Sequence, residues 1–149
     1  MADSTLYDHD FYAWANEQAA LLRSGKLADA DIAHIAEEIE SMGRGEKREL
    51  VNRLTVLLMH LLKWHHQPNL RGNSWRLTIK ERRYRLSDHL ADNPSLKSVL
   101  PEAIASAYRL AVVEAERETG LAEDVFPNIC SWAFNQILDI DFWPGENAH

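Results

Sequence analysis

The chain has 149 residues and a formal net charge of −7. This length fits a single domain, which can bury roughly 68–70% of the surface that the unfolded chain exposes. The acidic balance argues against a dedicated nucleic-acid binder. The single cysteine, Cys130, excludes an internal disulfide and a thiolate zinc site, and it fits a reducing compartment.

The sequence shows no signal for export or membrane insertion. The N-terminal MADSTLYDHDFY lacks the basic start and apolar core of a signal peptide. The longest unbroken apolar run in the central segment is residues 56–59, far short of the roughly 20 residues that span a bilayer. We therefore expect a soluble cytoplasmic protein without a membrane partner.

Helical periodicity begins at the N-terminus. A first helix is predicted from a cap at Asp8 to about Ser24, with Gly25 as its C-terminal stop. A second helix is predicted to begin near Asp29. Its apolar stripe has the spacing of a core-facing helix and consists of Ile32, Ile35, Ala36, Ile39 and Met42.

The next segment is the most apolar part of the chain. Gly43 and Gly45 precede it, and each mid-helix glycine costs about 0.5–1 kcal/mol relative to alanine, so we expect a break or kink there, with one continuous long helix as the alternative. A third helix is predicted over about 46–66, with only three polar residues between Leu54 and Trp64. A helix apolar on most of its circumference is buried among others. This segment should be the central helix.

The second half of the chain begins with a basic helix, predicted from a cap at Asn73 or Ser74 to about Ala91. Residues 71–85 contain six basic side chains and one acidic one, a net charge of +5 that leaves −12 for the rest. Two further helices follow, the first from Pro101. The pattern predicts an all-α fold over 1–149: a single compact bundle of about six helices around the buried helix at 46–66.

The most interesting metal candidates lie in the second predicted helix. Asp31, His34 and Glu38 have the spacing i, i+3, i+7. Helical di-iron proteins build their sites from paired Glu-x-x-His motifs, whereas this chain has one Asp-x-x-His. On a helical wheel these residues lie roughly 90° or more from the isoleucine stripe, at 100° per residue. We therefore expect a solvated polar face, no cofactor, and only weak metal candidates in Asp31, His34, Glu38 and His60.

His60 lies beside the apolar face of the central helix. A buried imidazole without a partner costs on the order of 1–3 kcal/mol. We expect a neutral histidine that is satisfied by an acidic neighbour or a backbone carbonyl. A general base or a metal ligand is the alternative.

Aromatic and basic residues form a second candidate site. Two tryptophans flank a short loop that contains arginine, an arrangement that can stack bases or cover a phosphate; alternatively, the rings only close a helix junction. Arg82 and Arg83 abut an apolar stripe, so they either pair with carboxylates at 37–49 or remain available to a ligand. The candidate binding residues are Trp64, Arg71, Trp75, Arg76, Lys80, Arg82 and Arg83.

Several motifs in order resemble one known family. They are DFYAW, EEIESMG, LLMHLLKWHHQP, NSW, NPSLK, ETGL, FPNIC and ILDIDFWP. From Leu6 to Pro144 the chain resembles the DUF29 family of small bacterial proteins. The resemblance implies a compact helical fold. It implies no activity, and no catalytic residues carry over.

The motifs of common enzymes are missing. The chain has no G-x-S-x-G, no G-x-x-x-x-G-K-[ST] and no H-E-x-x-H. This favours a non-enzymatic helical protein-interaction module, with an unknown protein or a second copy as partner and with Phe142 and Trp143 as apolar contact residues. The alternatives are a nucleic-acid or anion binder through 71–85, and a metal-dependent enzyme using His34, Glu38 and His60.

Overall fold

The computed structural model describes residues 4–145, and side chains from residue 6 onward. Within this range the regular structure is helical, without strands, and the all-α prediction is confirmed. The α-helices are α1 (Ser4–His9), α2 (Phe11–Arg23), α3 (Ile32–His66), α4 (Asn73–Asp92), α5 (Leu100–Thr119) and α6 (Phe134–Leu138). No helix in the described part of the chain is both long and apolar enough to cross a membrane.

Two compact units divide the chain, Met1–Gly45 and Glu46–His149. The first contains α1, α2 and the beginning of α3, and the second contains the rest of α3 with α4 to α6. A single domain over 1–149 stays a prediction.

The first predicted helix is two helices. The side chain of Asp10 accepts a hydrogen bond from the Ala13 amide at 3.1 Å and caps α2. The predicted cap at Asp8 was therefore wrong, because Asp8 lies inside α1. Gly25 follows α2 with a φ of 74°, which confirms it as the C-terminal stop.

The predicted break at Gly43 and Gly45 does not occur, and the alternative of one continuous helix is confirmed, because α3 runs without interruption from Ile32 to His66. The two glycines together cost about 1–2 kcal/mol. Burying one leucine contributes about 1.5–3 kcal/mol, and the second half of α3 buries six of them, each at most 1% exposed: Leu50, Leu54, Leu57, Leu58, Leu61 and Leu62.

The second unit packs around this leucine-rich half of α3. Its core includes Ile79 and Leu86 from α4, Ala107 from α5 and Ile137 from α6, all of them fully buried. The prediction of a central buried segment at 46–66 is confirmed. The predicted cap of α4 was wrong, because Gly72 occupies the cap position.

Candidate functional site

In the first unit the polar side of α3 faces inward. Asp31 is buried, and its carboxylate accepts a hydrogen bond from Trp14 Nε1 at 3.1 Å. The Asp31 amide donates to Gln18 Oε1 at 2.7 Å. The Nδ1 atom of His34 lies 2.7 Å from Asp31 Oδ2. The predicted solvated face was wrong, because α2 supplies polar partners for these groups.

Tyr7 of α1 completes this polar cluster. Its ring stacks on His34, with ring centroids 4.0 Å apart, and its hydroxyl donates to Glu38. That hydrogen bond raises the pKa of Tyr7 to about 12. The hydrogen bond that His34 donates to Asp31 raises the pKa of His34. Burial pushes the pKa of Asp31 up, but the hydrogen bonds from His34 and Trp14 outweigh it and lower the pKa. The structure thus brings Asp31, His34 and Glu38 together as an internally paired network.

Because the polar side faces inward, the apolar stripe of α3 faces outward. Ile32, Ile39 and Met42 are 53%, 62% and 71% exposed, and Ile35 is partly buried. We call these four residues the outer stripe. The sequence predicted that it faces the core, which was wrong. A contiguous exposed apolar patch of this kind is typical of an interaction surface.

His60 belongs to the second unit. Its Nδ1 atom lies 2.8 Å from the carbonyl oxygen of Val56. Burial lowers the pKa of His60, and the hydrogen bond to Val56 opposes this only in part. The expected histidine satisfied by a backbone carbonyl is confirmed. The Val56 carbonyl can only accept, so the neutral ring carries its proton on Nδ1.

This environment makes the fold sensitive to acid. Burial also lowers the pKa of His66. Since both pKa values lie below the unfolded value of about 6.5, the unfolded chain binds protons more readily, and these groups destabilise the fold as pH falls through that value. In urea unfolding between pH 8 and pH 5, we expect His60→Gln to reduce the loss of stability, because glutamine can donate to Val56 without titrating. An unchanged pH dependence would contradict this.

Trp64, predicted as part of a surface for stacking bases, is not accessible to a ligand. Trp64 is buried against Trp143, with ring centroids 4.6 Å apart. Arg71 Nε donates to the Trp64 carbonyl at 2.7 Å, and its Nη2 donates to the Pro144 carbonyl at 3.2 Å. Trp143 is itself half-buried, so these contacts join the end of α3 to the C-terminal segment. Trp143, which the sequence suggested as an apolar contact residue for a partner, packs in part against Trp64 of its own chain.

The other predicted binding residues have different surroundings. The Nζ atom of Lys63 lies 4.8 Å from the centre of the half-buried Trp75 ring and 2.7 Å from Glu118. Arg76 donates to Asn73 Oδ1 at 2.7 Å. Lys80 is exposed. Trp64 and Arg83 are buried whereas Arg76 and Lys80 are exposed, so not all seven predicted residues lie at the surface.

The side chain of Arg83 is buried and makes its hydrogen bonds within the chain. It is 1% exposed, and its Nε and Nη2 atoms donate to the carbonyls of Ile137 and Gln136 at 2.7 and 3.4 Å. Burial lowers its pKa to about 10. Arg82 is half-buried, and its Nε has no hydrogen-bond partner among the described residues. The predicted carboxylate partners of Arg83 were wrong: its partners are backbone carbonyls of α6.

Two of those carboxylates meet a residue that the sequence did not single out. Glu46 and Glu49 of α3 face His89 of α4, which is buried. The only sequence signal was the i, i+3 spacing of the two glutamates, which is common on exposed helices. Only the packing of α4 against α3 brings the histidine to them.

Cys130 borders a cavity of about 540 Å³ between α5 and the segment 126–130. The hydroxyl of Tyr108 in its wall donates to the Pro127 carbonyl at 2.7 Å. Burial raises the pKa of Cys130. A reactive cysteine needs a lowered pKa, so this thiol lacks the environment of a nucleophile.

Comparison with known protein families agrees with the family resemblance of the sequence motifs. The family model described as "Domain of unknown function DUF29" matches residues 6–143. No curated protein and no solved structure matches the chain. With a match over nearly its whole length, the chain belongs to the DUF29 family.

Proposed function

We propose that this protein is a non-enzymatic interaction module of the bacterial cytoplasm, and that its outer stripe binds the same surface of a second copy. The exposure of the outer stripe carries the proposal. The half-buried, unpaired Cys130 supports a reducing compartment.

The spacing of the outer stripe suits a helical partner. Its four residues follow one another at intervals of three, four and three. This is the a/d pattern by which two helices pack side by side in a coiled coil. Within one chain such a pattern is normally covered, yet here Ile39 and Met42 are more than half exposed. A second helix laid along α3 would cover both.

Gly43 gives a second reason to expect a close neighbour. It lies in the middle of α3, where a glycine is unfavourable by roughly 0.5–1 kcal/mol. A methyl group added at Gly43 would meet nothing within 4 Å, so the fold of the chain does not require this glycine. On the surface beside Met42, its absent side chain lets another helix approach closely.

A second copy of the chain offers a stripe of the same a/d spacing, so two outer stripes can cover each other. Glu40 and Arg44 are both exposed. On a helical wheel at 100° per residue they lie roughly 120° and 160° from the centre of the stripe, so they do not fix the orientation of the pair.

Sedimentation equilibrium over a concentration series tests the proposal. We expect a mass about twice the 17.1 kDa of the chain. Ile39→Glu should return the mass to that of the monomer, because it buries a charge in the interface. Ile129→Glu is the matched control: Ile129 is 78% exposed but lies outside the outer stripe, so this variant should still dimerise.

Gly43→Ala should stabilise the monomer by about 0.5–1 kcal/mol while weakening association. A monomeric mass up to millimolar concentration would overturn self-association. Dimers that survive Ile39→Glu would overturn the assigned surface.

The alternative functions have weaker support. In a nucleic-acid or anion site over 71–85, Arg71 and Arg83 would be needed as ligands, but both donate hydrogen bonds to backbone carbonyls of their own chain. An enzyme using His34, Glu38 and His60 would need groups that are already paired within two separate units.

A further inference from the structure

Glu46, Glu49 and His89 form a compact group of possible metal ligands in the second unit. Glu46 and Glu49 are three residues apart on α3, and His89 comes from the last turn of α4. The Nε2 atom of His89 lies 2.8 Å from Glu46 Oε2 and 3.6 Å from Glu49 Oε2. One ligand atom from each residue lies within 4.8 Å of the others. Among the described residues, these three side chains are close enough together to hold one metal ion.

The burial of His89 sets this group apart from an ordinary acidic surface. The side chain is only 5% exposed, and its Nε2 points at the carboxylates. The other ring nitrogen, Nδ1, is buried without a hydrogen-bond partner in the described part of the protein. A buried ring with an unsatisfied nitrogen is destabilising. The contact of Nε2 with a half-exposed carboxylate offsets little of this, because water screens such pairs.

The carboxylates are held in place and remain accessible. Glu49 Oε2 accepts hydrogen bonds from Arg53 at 2.8 and 2.9 Å, and Glu46 Oε2 accepts one from Asn93 at 3.3 Å. The side chains of Glu46 and Glu49 are 47% and 43% exposed, so an ion can reach them from solvent. Such outer partners commonly orient metal-binding carboxylates.

We propose that Glu46, Glu49 and His89 bind a divalent transition-metal ion. Two carboxylates and one Arg53 guanidinium leave a net charge of −1 at the ligand group, which attracts a dication. One imidazole and two carboxylates suit Zn²⁺, Fe²⁺ or Mn²⁺ better than Ca²⁺, which takes oxygen ligands. Three protein ligands leave a position for water, as in open zinc sites.

The geometry needs only small movements to accept the ion. Ligand atoms around a tetrahedral zinc lie roughly 3.3–3.5 Å apart, given bonds of about 2.0–2.1 Å. The distance from His89 to Glu49 is already close to this at 3.6 Å. The ion would take the place of the Nε2 hydrogen in the shorter contact with Glu46, which leaves the ring hydrogen on Nδ1. Rotation of the half-exposed glutamates can supply the remaining adjustment.

Calorimetric titration of the metal-free protein with Zn²⁺ tests this site. We expect one equivalent per chain and a Tm that Zn²⁺ raises, because the ion binds the folded state. His89→Gln and Glu46→Gln should each weaken binding by at least about 100-fold, since outer-shell changes alone cost 10–100-fold. Glu46 is half-exposed, so its variant keeps the fold even where the His89 variant loses stability. Ca²⁺ should not bind.

Two control variants distinguish this site from the paired network of Asp31, His34 and Glu38 (the Asp31 network) and from the proposed dimer surface. His34→Gln removes the imidazole of the Asp31 network and should leave Zn²⁺ binding unchanged. Ile39→Glu disrupts only the proposed dimer surface and should also bind Zn²⁺, so the metal site and the proposed function can fail independently. Absence of Zn²⁺ binding, or Glu46→Gln binding as tightly as the wild type, would overturn the metal site.

Discussion

Arg83→Ala is expected to destabilise the protein by about 2–5 kcal/mol, as truncation of a large buried side chain does. The variant leaves a cavity between α4 and α6 and removes hydrogen bonds to the carbonyls of Ile137 and Gln136. The guanidinium also lies 5.4 Å from the centre of the Trp143 ring, so this contact is lost as well. Relief of the buried charge, whose pKa has fallen to about 10, offsets part of the loss.

Two variants separate these contributions in urea unfolding. Arg83→Met keeps much of the buried stem and loses the hydrogen bonds, so we expect an intermediate loss of about 1–3 kcal/mol. Arg85→Ala, two residues later on α4, removes an exposed ion pair with Glu81 and should change stability by no more than about 0.5 kcal/mol. If Arg83→Ala were as mild as Arg85→Ala, the structural role of Arg83 would be wrong.

Leu57→Ala is expected to cost about 2–5 kcal/mol of folding stability. Leu57 is fully buried in the second half of α3, where neighbours from several helices enclose it. Removing its branched end leaves a cavity that the packed helices fill only in part. The change should appear as a lower urea midpoint with an unchanged dependence on urea concentration.

Ile39→Ala on the same helix is the contrasting variant. Its side chain is 62% exposed, so the monomer should lose no more than about 0.5 kcal/mol. The measurement belongs at a concentration where the chain is monomeric, because dimer formation would add to the apparent stability. Equal losses for Leu57→Ala and Ile39→Ala would show that the outer stripe is covered within the chain.

The sequence could predict the fold class and the nature of several sites. Helical periodicity and the apolar run at 46–66 led to the all-α fold with a buried central segment, and both are confirmed. His60 could also be anticipated, since a histidine at the edge of a buried face needs a nearby acceptor and the Val56 carbonyl is one turn away. These predictions depend on local chain geometry and on burial.

The sequence could not predict which face of α3 is covered in the first unit. Its periodicity indicated two faces, one polar and one apolar, and hydrophobicity alone favoured burial of the isoleucines. In the structure the polar face is covered instead. Tyr7 of α1 donates a hydrogen bond to Glu38, and Trp14 of α2 donates one to Asp31. The orientation depends on side chains that are 17 to 31 residues away in the sequence.

The sequence alone thus determined that the chain forms helices, that its central leucines are buried and that it belongs to a recognisable family. Helix formation and apolar burial follow from residue type and spacing. Only the tertiary structure decided that Arg83 bonds to α6, that the outer stripe faces solvent and that His89 meets Glu46 and Glu49. Spacing determines which residues share a helix face, whereas the partner of that face depends on how distant helices pack.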